Sequence, residues 1–196
     1  MTSRTGTTAG RVDPGAFRHV LGLFCTGVTI ITAAGDGVRP VGFTCQSFVS
    51  LSLDPPLVSF SVSRTSRSWP LIRARGAFGV NILTAEQEGL CRTFASRAVD
   101  KFTGVDWTPG PVTGSPRLPG SLAWVECTVE AEYPGGDHVI AVGRVRDLEV
   151  VDGDADPLLF FLAGFRRPAP AVPPAPAVPG SVLAAGGTAP AVPGTP

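Results

Sequence analysis

Residues 57–63 read LVSFSVS, with Val58, Phe60 and Val62 alternating against Ser59, Ser61 and Ser63. Side chains repeat every two residues along a strand and every 3.6 along a helix, so this segment is a strand with one apolar and one polar face. A chain built around such segments must bury that apolar face against other strands or helices.

Further strand runs flank it. "GVTIITAA" is rich in β-branched residues, and "GDG" at residues 35–37 supplies a turn into a second strand through "RPVGFTCQSFVSL". "AFGVNIL" is an apolar strand, and "LAWVECTVEAEY" and "HVIAVGRVRDLEVV" form two long strands around "PGGD". In the first of these Cys127, Val129, Ala131 and Tyr133 alternate with Thr128, Glu130 and Glu132, and "PLLFFLAGF" reads as a last strand. The stretch 100–120, dense in Pro and Gly, reads as loop.

Only short helices interrupt these runs. Phe17, Val20, Leu21 and Phe24 share one helical face in "PGAFRHVLGLF". "SRSWPLIRARG" offers Ser66 or Ser68 as an N-cap and Pro70 in the first turn. "TAEQEGLCRTFA" opens with Thr84 and Gln87 in capping-box spacing and places Leu83, Leu90 and Phe94 on one side. Six or seven strands without regular βαβ alternation predict a mainly β domain, an antiparallel barrel with short flanking helices.

Three segments follow: a flexible N-terminus over 1–13, the folded domain over 14–167, and a Pro/Ala-rich tail over 168–196 without a charged residue. Such a tail suits extended or disordered backbone, dispensable or a docking strip for a partner. In the whole chain 43% of residues are hydrophobic and 16% charged, enough for a real core. The 16 basic and 16 acidic residues balance, so no broad field attracts nucleic acid or an anionic membrane. No apolar run approaches a membrane span, the start lacks a secretory signal, and the expected location is the cytoplasm. Cys25, Cys45, Cys91 and Cys127 lie far apart without a CxxC pair and read as free thiols; with only His19 and His138 beside them, no metal site is expected. GxGxxG, GxxxxGK[ST] and HExxH are all absent.

Thr44, Ser47, Ser50, Ser59, Ser61 and Ser63 crowd hydroxyls into residues 42–63. They suit either a solvent-facing barrel wall or a cleft in which small side chains admit an aromatic ring and hydroxyls bond its polar edge. Spacing leaves both open.

The stretch "GVTIITAAGDGVRPVGFTCQSFVSLSLDPPLVSFSVSRTSRSWPLI", followed in order by "FGVNIL", "FAS", "DKF" and "GDHVIAVGRV", resembles the short-chain flavin reductases that supply reduced flavin to two-component monooxygenases. The resemblance spans residues 17–165 and implies a homodimeric, FMN-binding split barrel, Greek-key-like and antiparallel. It implies that FMN or FAD is reduced by NADH or NADPH. Carried onto this chain, it places Thr44, Cys45, Gln46 and Ser47 along the flavin ring and Ser61 and Val62 near the ring or ribityl chain. It places Ser66 and Arg67 near the phosphate, Lys101 and Phe102 beside the pocket, and His138 at the nicotinamide end of NAD(P)H. Gln46 stands where the family commonly has Asn, an amide longer by one methylene, and Cys45 replaces a more usual Ala or Val.

Each role has a physical reason. A balanced protein must meet a flavin phosphate with local donors: Arg67, Lys101, hydroxyls or a helix N-terminus. Hydride transfer asks the protein chiefly to hold two reacting atoms roughly 3–3.5 Å apart, so no catalytic acid or base is named. A rival reading keeps the flavin but makes the chain a carrier, or an oxidase that never releases its flavin. His19, Trp69, Trp107 and Trp124 read as structural.

Overall fold

A computed structural model describes residues 7–8, 11–35 and 39–169. The Pro/Ala-rich segment from residue 170 onward, and with it most of the expected tail, lies outside the described residues, as do residues 1–6 and 9–10 of the expected flexible N-terminus. Thr7–Thr8 pairs with Arg11–Val12.

Seven strands make the main sheet: β1 (Thr29–Ala33), β2 (Val41–Cys45), β3 (Val49–Leu53), β4 (Pro56–Ser63), β5 (Ala77–Ile82), β6 (Ala123–Gly135) and β7 (His138–Val150). Their order is β2-β1-β5-β6-β7-β4-β3, every pair antiparallel. The sheet coils around one apolar cluster that takes Ile31 and Ala33 from β1, Val58, Phe60 and Val62 from β4, Phe78 and Val80 from β5, Cys127 from β6 and Ala141 from β7. Phe60 anchors it, edge-on to both Trp69 and Phe78 with ring centroids 5.4 Å apart. The alternation of LVSFSVS thus marks the inner face of a split barrel.

Three helices flank the sheet. In α1 (Pro14–Leu21) the Asp13 carboxylate accepts the Ala16 N–H at 2.8 Å and so caps the first turn. The apolar stripe forms as expected, yet Phe17, Val20, Leu21 and the following Phe24 all stay more than half exposed. α2 (Trp69–Arg75) begins where Ser66 Oγ accepts the Trp69 N–H at 3.2 Å. A 3-10 turn at Ala85–Gln87 leads into α3 (Glu88–Ala95), with Gln87 Oε1 accepting the Thr84 N–H as the capping box requires. Leu83 and Phe94 join Val28, Ile30, Cys91, Phe102, Leu118 and Leu158 in a second cluster. Both Ile30 and Ile31 are buried because β1 has core on each face.

Several elements differ from the sequence reading. The run "RPVGFTCQSFVSL" is two strands, broken at 46–48, because β2 and β3 occupy opposite ends of the sheet. The 100–120 loop contains a small hairpin, Thr108–Pro109 with Pro116–Arg117. "PLLFFLAGF" turns back on itself at Leu162 and Ala163, so Leu159–Phe161 pairs with both Gly164–Arg166 and Thr26–Gly27. Along β6 the alternation is broken by register shifts at Glu126/Cys127 and Val129/Ala131, which bury Glu126 and expose Tyr133. Ser59, on the polar side of its strand, is buried.

Candidate functional site

Three segments meet around a cleft of about 620 Å³, within the range of small-molecule sites. One wall is 40–43 at the start of β2, the second is 63–68 with Leu71 between β4 and α2, and the third is 96–102 after α3. The described residues hold no cluster of three His, Cys, Asp or Glu that would suit a metal ion.

Gly42 makes the walls converge. A Cβ there would lie 2.8 Å from both the Ile31 carbonyl oxygen and Phe94 Cε1, so a side chain would push β2 off α3. The Gly42 carbonyl accepts from Ser68 Oγ at 3.0 Å and Lys101 Nζ at 3.3 Å, tying the second and third walls to the first. Lys101 Nζ also donates to the Phe94 carbonyl at 2.8 Å, near the C-terminal end of α3 where the helix dipole favours a cation. Partial burial pulls the Lys101 ammonium below the ordinary lysine pKa.

Asp100 fixes the turn carrying Lys101 and Phe102. Its Oδ1 accepts the Phe102 N–H at 2.9 Å and the Thr103 N–H at 3.2 Å, and its Oδ2 accepts Thr103 Oγ1 at 2.7 Å. The Thr103 hydroxyl first, then the Phe102 N–H and the nearby Arg39, hold this carboxyl below the usual range. Arg39 pairs with Asp100 across the cleft mouth, joining the segment before Pro40 to the segment after α3. Phe102 packs edge-on to Phe94, centroids 4.9 Å apart, and shows only its margin to the cleft.

Four of the residues that the family resemblance assigned to the site line this cleft: Ser66, Arg67, Lys101 and Phe102. The others are not among the residues that line it. Thr44 Oγ1 donates to the Cys91 carbonyl at 2.7 Å and pins β2 to α3. Cys45 and Val62 are core residues, and burial pushes the Cys45 thiol up. Gln46 is exposed at the break between β2 and β3, and Ser47 Oγ bonds both backbone groups of Ser61. His138 lies opposite the cleft residue Ser63 in the β4/β7 ladder, its Nδ1 2.7 Å from Asp137 Oδ1. The cysteines are separate thiols, Cys25 exposed and the other three buried; burial raises the Cys127 thiol to about 12.

The hydroxyls of 42–63 thus divide between two tasks. Thr44 and Ser47 fasten backbone, while Ser63, with Thr65, Ser66, Ser68 and Ser96 from outside that stretch, faces the cleft. Sequence reasoning missed Val41, Gly42 and Phe43, which form an apolar floor, and Ser96 and Arg97, which add a hydroxyl and a cation. "FAS" and "DKF" bracket that last segment, and were the available signal. Apolar surface at Val41, Phe43 and Leu71, facing Arg67, Arg97 and Lys101, suits a flat aromatic ligand with an anionic tail.

The sequence pattern of the family described as "Flavin reductase like domain" matches residues 21–169. The chain belongs to the flavin reductase-like family. It is 53% identical over 161 residues to the reductase subunit HsaB of a flavin-dependent monooxygenase from Rhodococcus jostii, covering 82% of this chain and 81% of that one. Among solved structures, nitrilotriacetate monooxygenase component B from Mycobacterium thermoresistibile superposes with a TM-score of 0.77 at 48% identity, over 87% of this chain and 94% of its own. A Streptomyces globisporus NADH:FAD oxidoreductase, solved in complex with NAD and FAD fragments, also gives 0.77 at 39% identity, over 84% and 100%. In this flavin reductase-like chain the cleft lies wholly within the matched residues.

Proposed function

We propose that the protein reduces free flavin, FMN or FAD, with NADH or NADPH and releases the reduced flavin to a separate monooxygenase. A hydride passes from the nicotinamide to the flavin, oxidising the first and reducing the second. One observation carries this reading: an apolar floor at Val41, Gly42 and Phe43 lies beneath hydroxyls and three cations, in a chain of this family. The apolar floor receives the ring system, and Ser66, Arg67 and Lys101 meet the phosphate as local donors in a protein of balanced charge. Phe102 closes the pocket beside them. Thr44, Cys45, Gln46, Ser47, Ser61 and Val62 shape the wall behind the ring, and His138 meets the nicotinamide end.

The domain that does this extends over 14–167. Its exposed apolar α1 stripe, and the half-exposed Val49 and Leu51 with the almost fully exposed Leu53 on the edge strand β3, suit burial against a second copy of the chain. We infer a homodimer, checked by sedimentation. No described helix is long and apolar enough to cross a membrane.

The test of function is NADH oxidation followed with and without excess FMN or FAD. Turnover that scales with added flavin supports release of a reduced product. Turnover independent of added flavin means a tightly held flavin and overturns the reading.

A further inference from the structure

Neither Arg39 nor Asp100 lines the cleft, yet each adjoins residues that do. Pro40 follows Arg39 at the start of the apolar floor, and Asp100 stands between Val99 and Lys101 on the third wall. Because the two side chains form an ion pair, the segment that supplies the floor is tied to the segment that supplies a phosphate donor.

The pair is the one contact of Asp100 that leaves its own turn. Its Oδ1 takes the Phe102 and Thr103 N–H groups, and its Oδ2 is shared between the Thr103 hydroxyl and Arg39 Nη1. The Arg39 side chain is 68% exposed and that of Asp100 23%, too open to water for the pair to add much to stability. Inside the cleft the same walls are linked by Lys101, whose Nζ donates to the Phe94 carbonyl at 2.8 Å and to the Gly42 carbonyl at 3.3 Å. An ammonium has three hydrogens, so one remains for a phosphate. A phosphate drawing on that ammonium works against its longer bond, the one to Gly42, and the inner link weakens as the ligand binds. The ion pair at the mouth is not used by the ligand and keeps its hold on both walls.

We propose that Arg39 and Asp100 are positioning residues, a clasp that holds the floor at 40–43 and the Lys101 turn at the spacing of a flavin ring and its phosphate. The proposal rests on the flavin reductase reading of the cleft. Neither residue touches flavin. Opening the clasp lowers flavin affinity and leaves hydride transfer in the bound complex nearly unchanged, because the floor and the phosphate donor are both still present once the ligand has drawn them together.

Two substitutions open the clasp and spare the turn. Asp100→Asn keeps an oxygen for the two N–H groups but sets an amide against Arg39, and Arg39→Gln leaves every contact inside the turn in place. The full chain is titrated with FMN and with FAD by flavin fluorescence, and kcat and KM are measured with NADH. Each variant should bind flavin about fivefold more weakly, the upper range for an exposed ion pair, with flavin KM rising alike and kcat nearly unchanged. Arg39→Lys, which keeps a cation, should restore most of the loss, and the double variant should bind no more weakly than either single one. The sign for Asp100→Asn is decisive. It deletes a negative charge near an anionic ligand, so a pair acting only through its field would bind flavin more tightly in this variant. Tighter binding there, or unchanged affinity in both single variants, overturns the clasp and leaves the reductase reading intact. A fall in kcat as large as the rise in KM places the pair in the reacting geometry and also overturns it. Should Asp100→Asn not fold, Arg39→Gln and its lysine counterpart decide alone. Weakened flavin binding in a chain that oxidises no NADH upholds the clasp and sinks the reductase reading; failure of the wild type to bind either flavin sinks both.

Discussion

Ser47 Oγ donates to the Ser61 carbonyl at 3.1 Å and accepts the Ser61 N–H at 2.8 Å. Val49 is paired with Ser59, so continuing that antiparallel register places residue 47 opposite 61. The chain leaves the ladder there to cross between β3 and β2, and one hydroxyl takes over both backbone hydrogen bonds. A side chain thus ties the connection between the two end strands, β2 and β3, to β4.

Ser47→Ala removes this link while leaving the apolar cluster untouched. Ser47 is exposed, so water can replace part of what is lost, and the expected cost is about 1 kcal/mol. Urea unfolding measures it; a midpoint equal to wild type would show that the β2–β3 connection holds against β4 without Ser47.

Lys101→Met should raise the flavin KM about tenfold, as loss of one charge-assisted contact does, with a smaller change in kcat. Burial lowers the pKa of this lysine, so the ammonium is lost at a pH below the ordinary lysine value. Flavin KM in the wild type should therefore climb on the alkaline side before a free lysine would titrate, and the Met variant should lack that limb. Folding responds with the opposite sign. Between the lowered folded value and the ordinary one, the unfolded chain holds the proton more tightly, so this group favours folding more as pH rises. KM profiles that coincide for the two proteins would remove Lys101 from flavin binding.

Glu126→Ala should cost about 3 kcal/mol. The carboxylate is buried and accepts from the Val112 N–H at 3.3 Å, the Thr113 N–H at 2.9 Å, Thr113 Oγ1 at 2.6 Å and Arg117 Nη2 at 3.3 Å. Arg117 keeps Asp147 and Glu149 as partners, which holds the loss to the lower end for a broken buried pair. Burial alone would raise the Glu126 pKa, but the Thr113 hydroxyl and N–H, the Val112 N–H and Arg117 outweigh it and leave it lowered. Its contribution to stability is therefore present above the ordinary carboxylate range and is lost as pH falls through the lowered folded value. Thermal unfolding of wild type and Glu126→Gln across acid pH checks this; the Gln variant should show a shallower acid loss.

His138→Ala should raise the KM for NADH more than that for flavin. His138 sits one ladder position across from Ser63, beside the cleft, and its side chain is 44% exposed, so its removal leaves the core intact. Steady-state kinetics with each substrate varied in turn decides the matter, and unchanged constants for both would place His138 outside the site.

Much of the frame was legible from one dimension because it follows from local periodicity. LVSFSVS, the capping box at Thr84 and Gln87, and the stripe in residues 14–24 each became the element their spacing implied. The order of quoted segments was enough to point to the family, and Ser66, Arg67, Lys101 and Phe102 do face one cleft. What periodicity could not supply was the partner of each polar group. The hydroxyls of Thr44 and Ser47 read alike with that of Ser63, but two spend their bonds on backbone and the third borders the cleft. Glu126, one more glutamate in an alternating strand, is buried because register shifts in β6 turn it toward Arg117. The amino-acid order by itself settled where most of the strands and helices lie, since each depends on neighbours within a turn or two. Tertiary structure alone decided which side chains meet at the cleft, because Gly42, Ser68 and Lys101 are brought together only by chain crossings that no local pattern records.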